Sequence, residues 1–169
     1  MEYRRKTGEK KKWEDKLISY TTWINYGIGF KTDLVKTENS KIRNLLERAP
    51  KFKASLEKYI EESELSNEAE ISLLDVYSEG YVDFGGYGLA GLLFEVISEA
   101  EGIRLCPCDD YNGYNFLLFA ESLPWEFNEK ERNLTAASVK EIFEKYISII
   151  TNQSLNELEY GDWKVENGG

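Results

Sequence analysis

The stretch of sequence that organises the predicted fold is residues 71–125, ISLLDVYSEGYVDFGGYGLAGLLFEVISEAEGIRLCPCDDYNGYNFLLFAESLPW. Residues 71–76 have the apolar content of a short buried strand, and residues 89–100 repeat apolar side chains at helical spacing until Gly102 ends the pattern. Residues 104–108 and 114–120 predict two further strands, joined by an Asp-Asp-Tyr-Asn-Gly turn. The stretch therefore predicts a β-α-β-β core.

Helical segments on both sides of this stretch are predicted to cover the sheet, because a sheet buries its apolar face against another layer. The segments before and after Pro50 predict an N-terminal helical hairpin, with Asn39 or Ser40 as the first N-cap. Thr135 predicts the start of a C-terminal amphipathic helix that runs to about Thr151. The apolar positions of these helices are Ile42, Leu45, Leu46, Phe52, Leu56, Tyr59, Ile60, Val139, Ile142, Phe143, Tyr146, Ile147 and Ile150.

Two other segments have the composition of strands. Residues 13–30 are rich in aromatic and β-branched side chains, which favours one or two strands bent at Gly27 or Gly29, and residues 155–169 predict a short edge strand. The predicted fold class is α+β with a small mixed or antiparallel sheet. We expect a basic flexible tail at residues 1–12 and one domain at residues 13–169, with a small N-terminal lobe at residues 13–65 as an alternative.

The absence of histidine from the sequence restricts the chemistry of the protein most. It removes the usual general base at neutral pH, the Ser-His-Asp and Cys-His systems and most zinc sites. Any catalysis would depend on carboxylates, Lys, Tyr or Cys. No apolar run approaches the ~20 residues that span a bilayer, and no signal peptide pattern is visible, so we expect a cytoplasmic location and no membrane partner.

The formal net charge of -10 is spread unevenly along the chain. Residues 1–12 carry six Lys or Arg and two Glu, whereas residues 71–169 carry six basic and eighteen acidic residues. An acidic region of this size is repelled by free nucleic acid and attracted to basic protein surfaces.

The basic tail has the opposite tendency. It adjoins an aromatic segment that begins at Trp13, so its cations could follow a phosphate backbone beside rings on which bases stack. A solvated tail beside core aromatic residues is the simpler interpretation. The candidate nucleic-acid contacts are Arg4, Arg5, Lys10, Lys11 and Lys12.

Acidic residues near the predicted strand ends offer a possible Mg²⁺ site. Asp75, Asp83, Asp109 and Asp110 are the candidate ligands, and Asp83 and Asp109 would be the catalytic pair if the protein is an enzyme. The alternative is that they are exposed turn acids, which suit a hairpin equally well. Cys106 and Cys108 supply only half of a soft-metal site, so free thiols are the favoured interpretation. We therefore expect no cofactor, with Mg²⁺ as the exception under the enzyme hypothesis.

The C-terminal half resembles a known group of proteins. Residues 122–135, SLPWEFNEKERNLT, lead into IFEKY at residues 142–146, and the sequence closes on VENGG at residues 165–169. This half is similar to the small acidic accessory proteins of phages and conjugative elements of Gram-positive bacteria. Several of those proteins are anti-restriction or anti-CRISPR factors, so the resemblance implies an anti-defence inhibitor. It transfers no catalytic residues.

These observations lead to one main hypothesis and two alternatives. We expect an anti-CRISPR or anti-restriction protein that binds a bacterial nuclease or CRISPR effector complex through an acidic surface, with possible contact to the bound nucleic acid. An immunity protein that neutralises a basic toxin is the second hypothesis, and a Mg²⁺-dependent phosphodiesterase is the third. The candidate binding residues are Asp109, Asp110, Glu126, Glu129 and Glu131.

Overall fold

The computed structural model of this protein describes residues 24–62, 87–120 and 127–166. In chain order these residues form β1 (Ile24–Lys31), α1 (Asn39–Leu46), α2 (Pro50–Glu62), α3 (Gly88–Glu101), β2 (Cys106–Asp109), β3 (Asn115–Ala120), α4 (Glu129–Arg132), α5 (Ala136–Ile150) and β4 (Gly161–Glu166). Short 3-10 helices lie at Thr32–Leu34 and Leu155–Leu158. The fold class is α+β, as the sequence predicted.

The four described strands form one sheet in the order β2-β3-β1-β4. All three pairings are antiparallel, which decides between the mixed and the antiparallel sheet left open by the sequence. β1 is a central strand, and β4 is the short edge strand predicted near the C-terminal end. At one position of β1, Gly29 lies opposite Leu118 of β3 and Gly161 of β4.

The predicted β-α-β-β core is present only in part. α3, β2 and β3 follow one another as expected, and Gly102 ends α3 in the left-handed region at φ 70°. The predicted first strand at residues 71–76 lies outside the described residues. β2 begins at Cys106 instead of Arg104. The Arg104 backbone N–H donates to the Glu131 carboxylate at 2.6 Å, so this N–H group is not available for a hydrogen bond with β3.

The main core lies between one face of the sheet and the helices. α3 packs on β2 and β3, and α1 packs on α5. Phe30 of β1 meets Phe143 of α5 edge to face, with ring centroids 5.2 Å apart. The buried members include Ile42, Leu45, Leu56, Leu92, Leu93, Ile97, Leu117, Tyr146, Ile147, Ile150 and Leu158. The periodic apolar positions of the predicted helices therefore reach a common core.

The opposite face of the sheet carries a second, smaller apolar cluster. Cys108, Phe116, Leu118 and Val165 are buried there, and Cys106 and Trp163 pack against them while remaining half-buried. The Phe116 and Trp163 rings are 4.9 Å apart between centroids. Both cysteines, Phe116 of β3 and Trp163 of β4 thus share this face.

The helical hairpin is confirmed, but its first cap differs from the prediction. Glu38, not Asn39 or Ser40, occupies the N-cap position of α1, and the Ser40 hydroxyl donates to the Glu38 carboxylate. α2 begins at Pro50, where the missing N–H costs nothing because first-turn N–H groups lack intrahelical partners. The Glu99 carboxylate of α3 accepts hydrogen bonds from the backbone N–H groups of Lys51 and Phe52, both at 2.9 Å. A side chain of α3 therefore caps the N-terminal end of α2.

The C-terminal amphipathic helix agrees closely with its prediction. Thr135 is the N-cap, and its hydroxyl accepts from the Ser138 N–H, while the helix ends at Ile150. Its predicted apolar face is buried at every position except Ile142, which is half-buried.

Replacing Gly29 by Ala should destabilise the protein by about 3 kcal/mol, because overpacking that forces the backbone to shift costs about that much stability. A Cβ at Gly29 would lie 1.9 Å from the Leu117 carbonyl oxygen, and that oxygen belongs to the paired strand and cannot rotate away. Chemical denaturation followed by circular dichroism measures the change.

The matched control is Gly161→Ala. Gly161 is the register partner of Gly29 on β4, and, apart from Gly161 itself and its two chain neighbours, no described residue has an atom within 4 Å of a Cβ placed there. This control should change the unfolding free energy by less than about 1 kcal/mol. Equal destabilisation by both substitutions would contradict a close approach of β1 and β3 as the cause.

Candidate protein-binding turn

The connection between β2 and β3, which we call the β2–β3 turn (residues 109–115), is held in one conformation by Asp110. Its Oδ1 accepts hydrogen bonds from the backbone N–H groups of Asn112 and Tyr114, each at 2.9 Å. The Gly113 N–H donates to the Asp110 carbonyl at 3.1 Å, and Gly113 has φ 85°, which glycine adopts without strain. The predicted Asp-Asp-Tyr-Asn-Gly turn is therefore confirmed and internally braced.

Residues from the end of β1 brace the turn from the other side. The Asp33 carboxylate accepts hydrogen bonds from the backbone and side-chain amides of Asn115. The Lys31 ammonium lies 4.6 Å from the centroid of the Tyr114 ring and pairs with Glu159 at 3.0 Å. The position of Tyr114 is thus fixed by a cation–π contact that is itself anchored by an ion pair.

The braced turn presents aromatic and acidic side chains to solvent. Tyr111 is 59% exposed, Tyr114 43% and Tyr87 42%, while Asp109 is exposed and Asp110 half-buried. Burial and the Asp109 carboxylate raise the pKa of Tyr87, the residue that precedes α3. The tyrosine rings of this surface can bind both cations and apolar groups, and its carboxylates can bind cations.

Sequence reasoning found the acids of this surface but not its aromatic residues. Asp109 and Asp110 were candidate binding residues, and the structure places both at the turn. Tyr111 and Tyr114 were missed as binding residues. A signal for both was present, since a tyrosine at a hairpin turn has no sheet face to cover it.

Glu131 lies inside the protein. Its side chain has no exposed surface and pairs with Arg104, with Oε1 3.0 Å from Nη2. It also accepts the Asn128 N–H while Asn128 accepts the Glu131 N–H, which is a capping box at the start of α4. Because its carboxylate is buried, Glu131 cannot offer it to a partner. The prediction that Glu131 belongs to a binding surface was therefore wrong. The Asn-x-x-Glu spacing was the sequence signal for this role.

Glu129, by contrast, is exposed on the same short helix. The neighbouring Lys130 points back to α3, where its ammonium is 3.1 Å from the Glu101 carboxylate. Glu101 also binds Lys145 at 3.0 Å and accepts a hydrogen bond from the Tyr146 hydroxyl. Glu101 thus joins the end of α3 to both α4 and α5.

Several predicted site residues lie outside the described parts of the chain. They are Glu126, the candidate ligands Asp75 and Asp83, and the basic residues Arg4, Arg5, Lys10, Lys11 and Lys12. Of the proposed Mg²⁺ ligands only Asp109 and Asp110 are described, and one oxygen of Asp110 is already used by the turn. Within residues 24–62, 87–120 and 127–166, no three His, Cys, Asp or Glu side chains group as a metal site would require.

Comparison with known proteins found no relative: no protein-family model, curated protein or solved structure matches the chain. Among the helices in the described ranges, none has the length and apolar character needed to cross a bilayer. Functional proposals therefore depend on the arrangement of the residues themselves.

Replacing Glu131 by Gln should destabilise the protein by about 2 kcal/mol, because hydrogen bonds to a charged group contribute roughly that amount. Glu129→Gln is the matched control, two positions away on α4 and exposed, and should stay within about 0.5 kcal/mol of the wild type. Thermal and denaturant unfolding distinguish the two variants. Similar stability of both would contradict the internal role of Glu131.

Glu101→Gln should cost about 2 kcal/mol at neutral pH, and this cost should shrink in acid. Burial opposes ionisation of Glu101, but hydrogen bonds from Tyr146, Lys145 and Lys130 outweigh it and lower its pKa from 4.5 to about 2. A lowered pKa means that the carboxylate stabilises the fold fully above pH 4.5 and loses this effect as the pH falls towards 2. Denaturant unfolding across this pH range tests the expectation, and a constant difference between wild type and variant would contradict it.

Proposed function

We propose that this protein acts by binding another protein, and that it inhibits a bacterial nuclease complex of the CRISPR or restriction type. The observation that carries the proposal is the β2–β3 turn, which presents Tyr111, Tyr114 and Asp109 on a backbone fixed by Asp110. An encounter with such a complex would take place in the bacterial cytoplasm.

A braced turn suits protein binding for a thermodynamic reason. Association loses affinity when loops and side chains must be ordered at the interface, and a loop already held in its bound form avoids much of that cost. Tyrosine adds a large contact area with few rotatable bonds and is enriched among the residues that dominate binding energies. Two tyrosines on one turn, each at least 43% exposed, therefore favour an interface.

The charge of the protein favours a basic partner. Nucleases bind phosphates with Lys and Arg, so their substrate channels are cationic. The chain has a net charge of -10, and Asp109 and Glu129 present carboxylates to solvent. Guanidinium groups of such a channel would pair with these carboxylates and stack on the tyrosine rings. The resemblance to acidic anti-defence proteins supports the same assignment.

The test combines a cleavage assay with variants of the turn. Purified protein is added to a guide-loaded CRISPR effector and, separately, to a restriction nuclease, and cleavage of labelled DNA is measured. We expect inhibition of one nuclease, weakened about tenfold or more in the double variant Asp109→Asn with Tyr111→Ala. Asp109→Asn alone should mainly slow association at low salt, because peripheral charges act on the on-rate.

The matched control is the double variant Glu141→Gln with Tyr26→Ala, which should inhibit as well as the wild type. Glu141 is an exposed acid on α5, and Tyr26, 49% exposed, lies in the half of β1 that is far from the turn. Equal loss in both double variants would contradict the turn as the contact. Full inhibition by the turn variant would do the same.

Other outcomes separate the alternative functions. Neutralisation of a basic toxin, without inhibition of either nuclease, would support the immunity-protein hypothesis. Mg²⁺-dependent cleavage by the purified protein alone, lost in Asp109→Asn, would support the phosphodiesterase hypothesis. Deletion of residues 1–12 tests the proposed nucleic-acid contact: the shortened protein should bind the nuclease loaded with nucleic acid more weakly than the empty nuclease.

A further inference from the structure

We propose that the sheet carries a binding site for the trimethylammonium group of a methylated lysine side chain, and that Lys31 fills this site in the free protein. The site, which we call the aromatic cage, consists of Tyr114, Phe116, Trp163 and Glu159. It does not depend on the inhibition of a nuclease and is tested without one. The observation that carries the inference is one ammonium group surrounded by three rings and a carboxylate.

The sheet places Lys31 and the rings on one face. Phe30 enters the main core, so Lys31, the next residue of β1, points to the opposite face. Phe116 is the register partner of Lys31 on β3, and Trp163 packs against the apolar cluster to which Phe116 belongs. Three ring centroids lie near the Lys31 ammonium, at 4.6 Å for Tyr114, 5.4 Å for Trp163 and 5.9 Å for Phe116. All three distances are within the ~6 Å over which a ring face attracts a cation.

Contacts among its own members hold the cage in shape. The Trp163 indole N–H donates to the Glu159 carbonyl oxygen at 3.0 Å, and the Trp163 ring meets Phe116 edge to face, with centroids 4.9 Å apart. Glu159 has φ 59°, in the left-handed region that a residue with a Cβ rarely adopts. Its carboxylate lies 3.0 Å from the Lys31 ammonium. A disfavoured backbone conformation therefore coincides with the acid of a cation site, and such conformations are concentrated at functional sites.

The chemistry of the cage favours a quaternary cation over an ordinary lysine ammonium. A lysine ammonium is strongly hydrated, and entry between the rings removes part of that water. A trimethylammonium group has no N–H to desolvate, and its methyl groups contact the ring faces directly, so aromatic cages recognise it. The occupant in the structure is a lysine side chain, which shows that the site accepts a cation on a lysine stem.

The cage is open to solvent on one side, so a ligand can replace Lys31. The side chain of Lys31 is 18% exposed and that of Glu159 is 52% exposed. Tyr114, which forms one wall, is also exposed. Ion pairs and cation–π contacts at exposed positions are weak, and only the Lys31 side chain has to move to vacate the cage. Exchange of the occupant therefore leaves the pairing of the strands intact.

Nuclear magnetic resonance of the full chain tests the proposal. The probe is N-acetyl-trimethyllysine methylamide, and the reporter is the Trp163 indole N–H signal, which is identified by its loss in Trp163→Phe. We expect a saturable shift with a dissociation constant in the millimolar range.

Two comparison probes should each bind at least about tenfold more weakly. A neutral analogue with carbon in place of the quaternary nitrogen lacks the charge that the rings attract, and the unmethylated lysine probe loses more hydration. No saturable shift, or a comparison probe that binds as tightly as the trimethylated one, would overturn the proposal.

Two variants test the role of Lys31 as the occupant. Lys31→Ala should bind the trimethylated probe about tenfold more tightly than the wild type, because the apparent affinity is reduced by the fraction of molecules whose site is free. The matched control is Lys164→Ala, which removes an exposed lysine beside Trp163 on β4 and should bind like the wild type. An unchanged affinity in Lys31→Ala, or equal gains in both variants, would overturn the assignment. The wild-type comparison of the three probes decides on the cage even where Lys31→Ala folds poorly.

Discussion

The close approach of β1 to β3 at Gly29 is the constraint on which the rest of the structure depends. It joins residues 24–31 to residues 115–120 and 161–166, three segments that are far apart in the chain. Phe30, next to Gly29, then enters the core beneath the helices and meets Phe143. At the end of β1, Lys31 and Asp33 hold the β2–β3 turn. The same strand therefore builds the core and positions the candidate binding surface.

The acids of this protein have two different roles. Glu99, Glu101 and Glu131 act within the fold, where they accept hydrogen bonds from helix N–H groups, tyrosine and cations. Asp109 and Glu129 face solvent. The net charge of -10 therefore overstates the number of carboxylates that a partner meets, because some of that charge is used to join helices.

β2 connects the candidate binding surface with the smaller apolar cluster on the opposite face of the sheet. Cys108 is buried in that cluster and is followed directly by the exposed Asp109. The last residue of β2 therefore leads into a turn that is braced by its own hydrogen bonds and by Asp33.

The sequence by itself determined the elements whose signals are local. Helical spacing and a threonine cap specified α5, the left-handed Gly102 ended α3, and Asp110 with Gly113 specified the turn, because each depends on residues a few positions apart. Only the tertiary structure decided the order of the strands, the burial of Glu131 against Arg104, and the need for glycine at position 29. These features depend on contacts between distant segments, and the spacing of neighbouring residues does not specify which distant residue becomes the partner.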